Sequence, residues 1–495
     1  MTPQQAEPAQ PTASPWPALW ALVVGFFMIL LDTTIVSVAN PAIKAALDPH
    51  TANLDNVVWV TSAYLLAYAV PLLLTGRLGD RFGPKRIYLA GLVVFTLSSL
   101  LCGLSGTLPL LIAARALHGV GAAMMTPQTM AVITRTFPAT QRGAAMGLWG
   151  ATAGVATLVG PIAGGVLVDG LGWEWIFFIN VPVGVVAWFL AVRLVPALPT
   201  HPHRFDTVGV LLSGAALFLI VFGLQEGEAY NWGQIWGPIS VWGLIIAGLI
   251  LAVVFVWNQA RTRNEPLVPL ELFRDRNFAV ANIGIAAVGC AVTSMSLPLM
   301  FFAQLGRGLT PTQAALITAP SAVLSGVLAP VFGRILDRTD PRYILLPGLA
   351  LVLVGLSWWA LWMTPDTPIL AFLLPATVMG VGQAGMWGPL STTANRNLPP
   401  QMAGAGAGVY NTTRQIGSVI GSAAVAALMQ SRLTALMPAG QDGLGEASGG
   451  LPAAVAAPFS AAMAQSMLLP IAVLALGLVA ACFLERPSVL AKTRH

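Results

Sequence analysis

Charge is what this chain is short of. Of its 495 residues only 24 are Lys or Arg and 19 are Asp or Glu, a charged share of 9%. Soluble domains carry about 25%, so too few charges are present to solvate a surface of this size. That excludes an ordinary soluble enzyme, a nucleic-acid binder and a disordered chain. Cysteine is scarce as well. Cys102, Cys290 and Cys482 make an odd number with no CxxC spacing, which excludes a disulfide framework or a zinc site. The histidines His50, His118, His201, His203 and His495 form no metal-ligand pattern, so neither a metal nor a cofactor is expected. No G-x-x-x-x-G-K-[ST] occurs, which argues against ATP drive through a P-loop, and GAGAGVYN (404–411) follows no strand and is no dinucleotide loop. Residues 2–15 hold no Lys or Arg and lack the basic start of a secretory signal. They read as part of a disordered cytoplasmic tail, 1–17, before a retained first helix.

Apolar length is what the chain has. Hydrophobic residues make up 56%, and the mean hydropathy is +0.77. A bilayer is crossed by about 20 apolar helical residues. Fourteen segments meet that length: 18–40, 57–75, 86–104, 108–131, 143–168, 175–196, 206–224, 239–258, 278–303, 313–333, 343–363, 368–390, 403–430 and 466–484. With the N-terminus inside, 19 basic residues fall in inner loops and 3 (Lys44, Arg307, Arg432) in outer ones. That asymmetry follows the positive-inside rule along the chain. The pI near 9.4 therefore reports membrane orientation, not nucleic acid. The fold expected is an all-α polytopic membrane protein of the inner bacterial membrane, with both termini cytoplasmic.

GRLGDRFGPKR (76–86) and GRILDRTDPR (333–342) each follow the second segment of a run of six. The match suggests two related six-helix bundles, 18–199 and 271–485, with a two-helix insert and linker at 200–270 and a cytoplasmic tail at 486–495. The long outer loop 431–465 contains an apolar stretch, LPAAVAAPFSAAM, that lies at the interface, lengthens the last helix or plugs a cavity.

These motifs give the chain a family likeness over about residues 18–485. LDTTIVSVANPAI (31–43), GRLGDRFGPKR, ARALHGVGAAMMTP (114–127), GPIAGG (160–165), WEWIFFINVPVG (173–184) and NTTRQIGSVIGSA (411–423) are similar to signatures of the 14-helix drug:proton antiporters of the major facilitator superfamily, the EmrB/QacA type. The loop motif is shared by uptake and efflux members, whereas the GPIAGG motif resembles the antiporter signature. The resemblance implies two bundles and an insert in one fold, and proton-coupled export of lipophilic, cationic drugs by a monomer. Its partners would be a drug-like small molecule, protons and the bilayer. Export of one metabolite, antibiotic or lipid is the alternative, and an uptake symporter a further one. Ser37, Asn40, Pro84 and His118 depart from the family's wording.

Only Asp32, Arg115 and Arg414 carry formal charge well inside the apolar segments. Each costs about 2.5–3.5 kcal/mol at a helix centre, which makes each a functional candidate. Asp32 lies about 13 Å from the outer end of its segment and Arg115 about 11 Å, so the two can pair. Burial favours a neutral carboxyl and a nearby cation favours the carboxylate. Alternating exposure would then make Asp32 the proton-coupling group, with Arg115 orienting it; the other reading is a static pair that locks the bundle. His118, one turn beyond Arg115, is either a relay or a packing histidine. Arg414 either lines the cavity, repelling cations or binding an anion, or pairs structurally.

The loop residues Gly76, Asp80, Arg81, Gly83 and Arg86 are candidates for an inner gate, or for a plain basic anchor. Gly160, Pro161, Gly164 and Gly165 permit close approach and bending, as a moving seal between halves or a static packing face. Phe26, Tyr64, Met125, Phe301 and Tyr410 are candidates for an adaptable substrate cavity, unless they face lipid or core.

Overall fold

The computed structural model describes residues 14–48, 55–198, 200, 206–227, 230–262, 266–336, 339–395, 397–398, 403–437, 451 and 453–485. Eighteen helices occur among them. They are α1 (Trp16–Leu47), α2 (Asp55–Ala69), α3 (Leu72–Phe82), α4 (Pro84–Gly103), α5 (Leu108–Thr136), α6 (Ala139–Leu171), α7 (Trp175–Phe178), α8 (Asn180–Leu194) and α9 (Thr207–Gln225). Then follow α10 (Val241–Arg261), α11 (Arg276–Phe301), α12 (Pro311–Leu336), α13 (Arg342–Trp362), α14 (Leu373–Ala384), α15 (Trp387–Asn395), α16 (Ala403–Leu436), α17 (Ala453–Ser466) and α18 (Leu468–Ala481). Twelve helical stretches among the described residues are long and apolar enough to cross a membrane. Two shorter apolar ones, Asn56–Ala69 and Val159–Leu171, fall within the second and fifth expected segments.

Proline and glycine set the breaks. Pro71 follows the turn that ends α2, because its ring removes a backbone donor and crowds the preceding turn. The second segment therefore becomes α2 plus α3. Gly83, at φ +97°, turns α3 directly into α4, a conformation costly for any residue with a Cβ. Pro298 precedes a π-helical turn at Phe302–Gly306 that ends the α11 span. The all-α expectation needs one addition, a short antiparallel hairpin of β1 (Gln234–Trp236) and β2 (Ile239–Ser240) between α9 and α10. Gly237, with φ +53°, makes its turn, and no alternating pattern announces so short a pair.

Boundaries moved in two places. α1 starts at Trp16, so the last two residues of the expected tail are helical, while residues 1–13 and the tail 486–495 lie outside the described residues. α16 runs on to Leu436, and the apolar end of loop 431–465 forms α17, continuous as a span with α18 over Val455–Ala481. Of the three readings of that stretch, lengthening of the last helix is the one found; residues 438–450 are not described.

Helices before Leu194 pack chiefly on one another (α4 on α5, α2 on α5, α1 on α6), as do those after Arg276 (α11 on α16, α12 on α14, α13 on α14). The most extensive pairings between the sets are α6 with α12 and α2 with α16; α1 also touches α11 and α12, and α3 and α5 touch α16. α9 lies against α16, and α10 rests on α9. Polar contacts fasten the joint near the α1–α2 end. Gln304 donates to the Val38 carbonyl at 2.9 Å, the Thr312 amide to Asp169 at 3.0 Å, and the Ser62 and Ser422 hydroxyls share a bond of 3.0 Å. Gln225 of α9, with its amide oriented to pair both atoms, donates to Ser62 at 2.8 Å and accepts from Trp59.

Close helix crossings depend on missing side chains. At the α4–α5 crossing, a Cβ on Gly121 would sit 2.6 Å from the Phe95 amide nitrogen and 2.8 Å from its Cα. Backbone cannot yield there. A Gly121→Val variant is expected to lose stability by about 1–3 kcal/mol, the usual cost of overpacking. Detergent-solubilised protein should show this as a lowered midpoint of thermal aggregation followed by size-exclusion chromatography; an unchanged midpoint would refute the crossing.

Candidate functional site

Asp32 lies on α1, Arg115 and His118 on α5, and α2 packs beside them. α1 and α5 are unbroken through Asp32 and Arg115, so backbone groups there are satisfied within each helix and only side chains are left to pair. Arg115 Nη1 donates to Asp32 Oδ2 at 2.6 Å, and the same nitrogen lies 2.9 Å from His118 Nδ1. Arg115 Nε donates to the Val60 carbonyl of α2 at 3.0 Å. Asp32, Arg115 and His118 are all buried, at 0%, 1% and 0% exposure. The depth argument from the sequence thus places the pair where the structure has it.

The three groups are unevenly satisfied. Asp32 Oδ2 takes the guanidinium, but Oδ1 has no hydrogen-bond partner and sits 3.6 Å from His118 Nδ1. Because Arg115 can only donate, His118 Nδ1 accepts and the ring proton belongs on Nε2, which has no partner. A vacant carboxylate oxygen and an imidazole nitrogen therefore face each other just beyond hydrogen-bond reach. Tyr64 covers the cluster, with Arg115 Cζ 4.1 Å from its ring centre and the His118 ring 5.6 Å away. Phe95 lies tilted against His118 with ring centres 3.9 Å apart, and the Phe177 ring centre is 5.6 Å from Arg115 Cζ. The sequence grouped Tyr64 with a substrate cavity; the structure puts it on the charge cluster. The Val60 carbonyl had no signal in the sequence, since any residue supplies one.

The other cavity candidates do not come together. Phe26 stacks on Trp149 at 4.4 Å, Met125 lies against Gly25 on α1, and Phe301 is buried in a core shared by both helix sets. All three are enclosed by packing. Tyr410 is 6% exposed and its hydroxyl has no partner. Arg414, one turn later on α16, is partly exposed and acts electrostatically on Tyr68 and Tyr410.

The loop motif lies on α3 and the start of α4. Gly79 packs on the side-chain amide of Gln128, which donates to the Thr75 carbonyl at 2.8 Å; Thr75 in turn donates to the Ala123 carbonyl at 2.6 Å. Gln128 and Thr75 thus bind α3 to α5, and sequence reasoning missed both. Gly76 faces Pro127. Lys85 donates to the Val192 carbonyl at 2.7 Å, Arg81 reaches the Phe82 ring, and Arg86 is exposed. The side chains of Arg77 and Asp80 lie outside the described ones. In the second copy, Arg342 pairs with Asp340 at 2.7 Å and donates to the Leu484 carbonyl at 3.1 Å, while Asp337 and Arg338 lie outside the described residues.

The GPIAGG residues divide between two neighbours. Gly160 and Gly164 face Thr34 and Ile35 of α1 in their own helix set, and Pro161 between them is half-buried. Gly165 faces α12: a Cβ there would be 2.5 Å from Thr312 Cα. Only Gly165 lies on the joint between the sets.

Relatives and solved structures with the same architecture are transporters. An uncharacterized MFS-type transporter of Mycobacterium tuberculosis is 55% identical over 95% of this chain and 81% of its own length. The tetracenomycin C resistance and export protein of Streptomyces glaucescens is 33% identical, covering 86% of this chain and 78% of its own. The multidrug resistance protein Stp of Mycobacterium tuberculosis is 33% identical over 85% and 76%. A bacterial homolog of the human lysosomal transporter Spinster, solved inward-facing and unoccupied, superposes with a TM-score of 0.61 at 16% identity, over 96% of this chain and 98% of that one. Residues 22–422 match the Major Facilitator Superfamily as a whole, and with these likenesses in sequence and fold the chain belongs to that superfamily of membrane transporters.

Proposed function

We propose that the chain is a proton-coupled secondary exporter of lipophilic small molecules that works by alternating access. Fourteen helices cross the membrane: bundles 18–199 and 271–485, and the α9–α10 insert within 200–270. The observation that carries this reading is the buried Asp32–Arg115–His118 cluster with one vacant carboxylate oxygen. Several relatives are named for export or resistance, to tetracenomycin C, to many drugs, to methylenomycin A and to cephamycin. Because three of those names refer to one compound each, export of a single antibiotic or metabolite is the second reading.

The cycle follows from the geometry. A proton arriving from outside neutralises Asp32 at Oδ1, which weakens its attraction for Arg115. Released from its counter-charge, the guanidinium keeps the Val60 carbonyl and the Tyr64 face, so α1 and α5 lose a tie that α2 and α5 retain. Loss of that tie shifts the balance between two arrangements of the bundles. Return of the proton to the inside restores the pair. By the asymmetry of basic residues, the α1–α2 end is the outer one. The Ser62–Ser422, Gln304–Val38 and Asp169–Thr312 contacts then close the outside in this conformation.

An Asp32→Asn variant is expected to lose accumulative, uncoupler-sensitive dye export by at least about tenfold while still letting substrate equilibrate down its own gradient. Everted vesicles loaded with a panel of lipophilic dyes measure this; full uphill transport by the variant would sink the coupling role. A Ser62→Cys/Ser422→Cys pair should form a disulfide under mild oxidation and stop export until reductant is added. Unimpeded export by the cross-linked protein would show that the outer joint does not open. Gly165→Leu should block transport with normal expression, whereas a fully active Gly165→Leu would remove the α6–α12 contact from the moving joint.

A further inference from the structure

Three formal charges lie deep in the spans, and two of them cancel. Asp32 and Arg115 are paired at 2.6 Å. Arg414 is left: its guanidinium makes no hydrogen bond and no ion pair with any described residue. Among the described helices packed against α16, carboxylates occur only toward helix ends. α16 itself and α5, α9, α11 and α17, which all touch it, contain no Asp or Glu; α2 has only Asp55, at its first residue, and α3 only Asp80, near its last turn. Arg307, by contrast, takes the Thr364 and Thr367 carbonyls at 3.0 and 2.7 Å, and Arg342 takes Asp340. Among the described residues, Arg414 is the arginine that combines a mid-helix position, partial exposure and an empty fork.

A second group near it is also unspent. Tyr410 lies one turn before Arg414 on the same helix face. Its hydroxyl is buried without a partner, an unusual and costly state for a polar group. Tyr68 of α2, a helix that packs on α16, has already committed its hydroxyl to Thr126 at 2.8 Å and offers no donor. The place therefore supplies one cation with a planar fork and one tyrosine with an uncommitted hydroxyl.

We propose that Arg414, with the Tyr410 hydroxyl, is the anion-binding point of the substrate site, so that the exported compounds carry a carboxylate or an ionised phenol on a lipophilic, ring-bearing body. This rests on the export reading for its direction of transport but not for binding. The guanidinium fork matches two oxygens of one carboxylate, and a charge-assisted bond there replaces the counter-ion that the chain withholds. The same cation disfavours ethidium-like substrates, in contrast to the charge class implied by the family likeness.

The test is binding to the purified full-length protein in detergent, read by fluorescence anisotropy. The probes are two lipophilic anions, fluorescein and 1-pyrenebutyrate, and one cation, ethidium. Saturable binding of the anions is expected, weakened at least about tenfold in Arg414→Gln and several-fold in Tyr410→Phe, with a smaller loss than Arg414→Gln in Arg414→Lys, which keeps the charge but not the fork. Ethidium binding should not weaken in Arg414→Gln. If that variant does not purify as a folded protein, Arg414→Lys and Tyr410→Phe decide, since a several-fold loss in each carries the same prediction. No saturable binding of either anion, or equal anion binding in wild type and the variants, overturns the proposal. Anion binding without movement under an imposed pH gradient would sink the export reading and leave the site standing.

Discussion

The contact on which the rest depends is the buried ion pair between Asp32 and Arg115. In hydrocarbon neither charge is tolerable alone, and a buried pair that loses one member destabilises by about 3–5 kcal/mol. Helices α1, α2 and α5 are held in register by the demand that this charge be met, since Arg115 reaches Asp32 on one side and the Val60 carbonyl on the other. A locked pair would be fully satisfied. This one is not: Asp32 Oδ1 and His118 Nε2 are buried and unpartnered. Native interiors seldom leave polar atoms so. In the cycle proposed above, these unpartnered acid and base atoms are where the proton count changes.

A change in one bundle has consequences only if something transmits it. The glycines on α6 show how. Gly164 lets α6 lie on Ile35, three residues after Asp32 on α1, and the adjoining Gly165 lets the same helix lie on Thr312 of α12. One helix therefore touches the charge-bearing helix with one face and the opposite helix set with the next. In the proposed cycle a shift of α1 would reach the joint through α6, whose glycines lie against Ile35 on one side and the Thr312 backbone on the other. Small rigid displacements are carried in this way because packed interfaces hold discrete arrangements and do not deform continuously. Gln225 ties α9 to the same joint through Ser62 and Trp59 of α2.

The sequence made some of this legible and not the rest. Asp32 and Arg115 could be paired beforehand because helical rise converts residue number into depth, and charge in lipid is rare enough to stand out. Helix positions were readable from apolar length for the same reason. Lateral contacts were not. Nothing in GPIAGG says which glycine faces its own bundle and which faces the other. Nothing in the order of aromatics separates Tyr64, which lies over Arg115, from Met125, which fills the space beside Gly25. Those assignments depend on the rotation of each helix about its axis, which all-round apolar composition leaves unmarked. Gln128 and Thr75 were overlooked because an uncharged polar residue in a long apolar helix carries little signal until its partner carbonyl is known. The hairpin at 234–240 was too short for any periodicity to show.

Arg115 and Arg414 together show why partners, and not residue type, decide a role. Both are arginines on long helices, both sit beside a tyrosine ring, and both lie more than a turn inside the bilayer. Arg115 is closed on every side: carboxylate, carbonyl, imidazole and ring. Its charge is spent within the chain, so it holds geometry and tunes Asp32. Arg414 has a ring to one side and a free hydroxyl one turn away, with no acidic residue on its own helix to answer it. A cation at that depth is costly unless something compensates it. Under the two proposals the first arginine serves the proton and the second the cargo, and because they stand on helices of different sets, movement of one set against the other would change both at once.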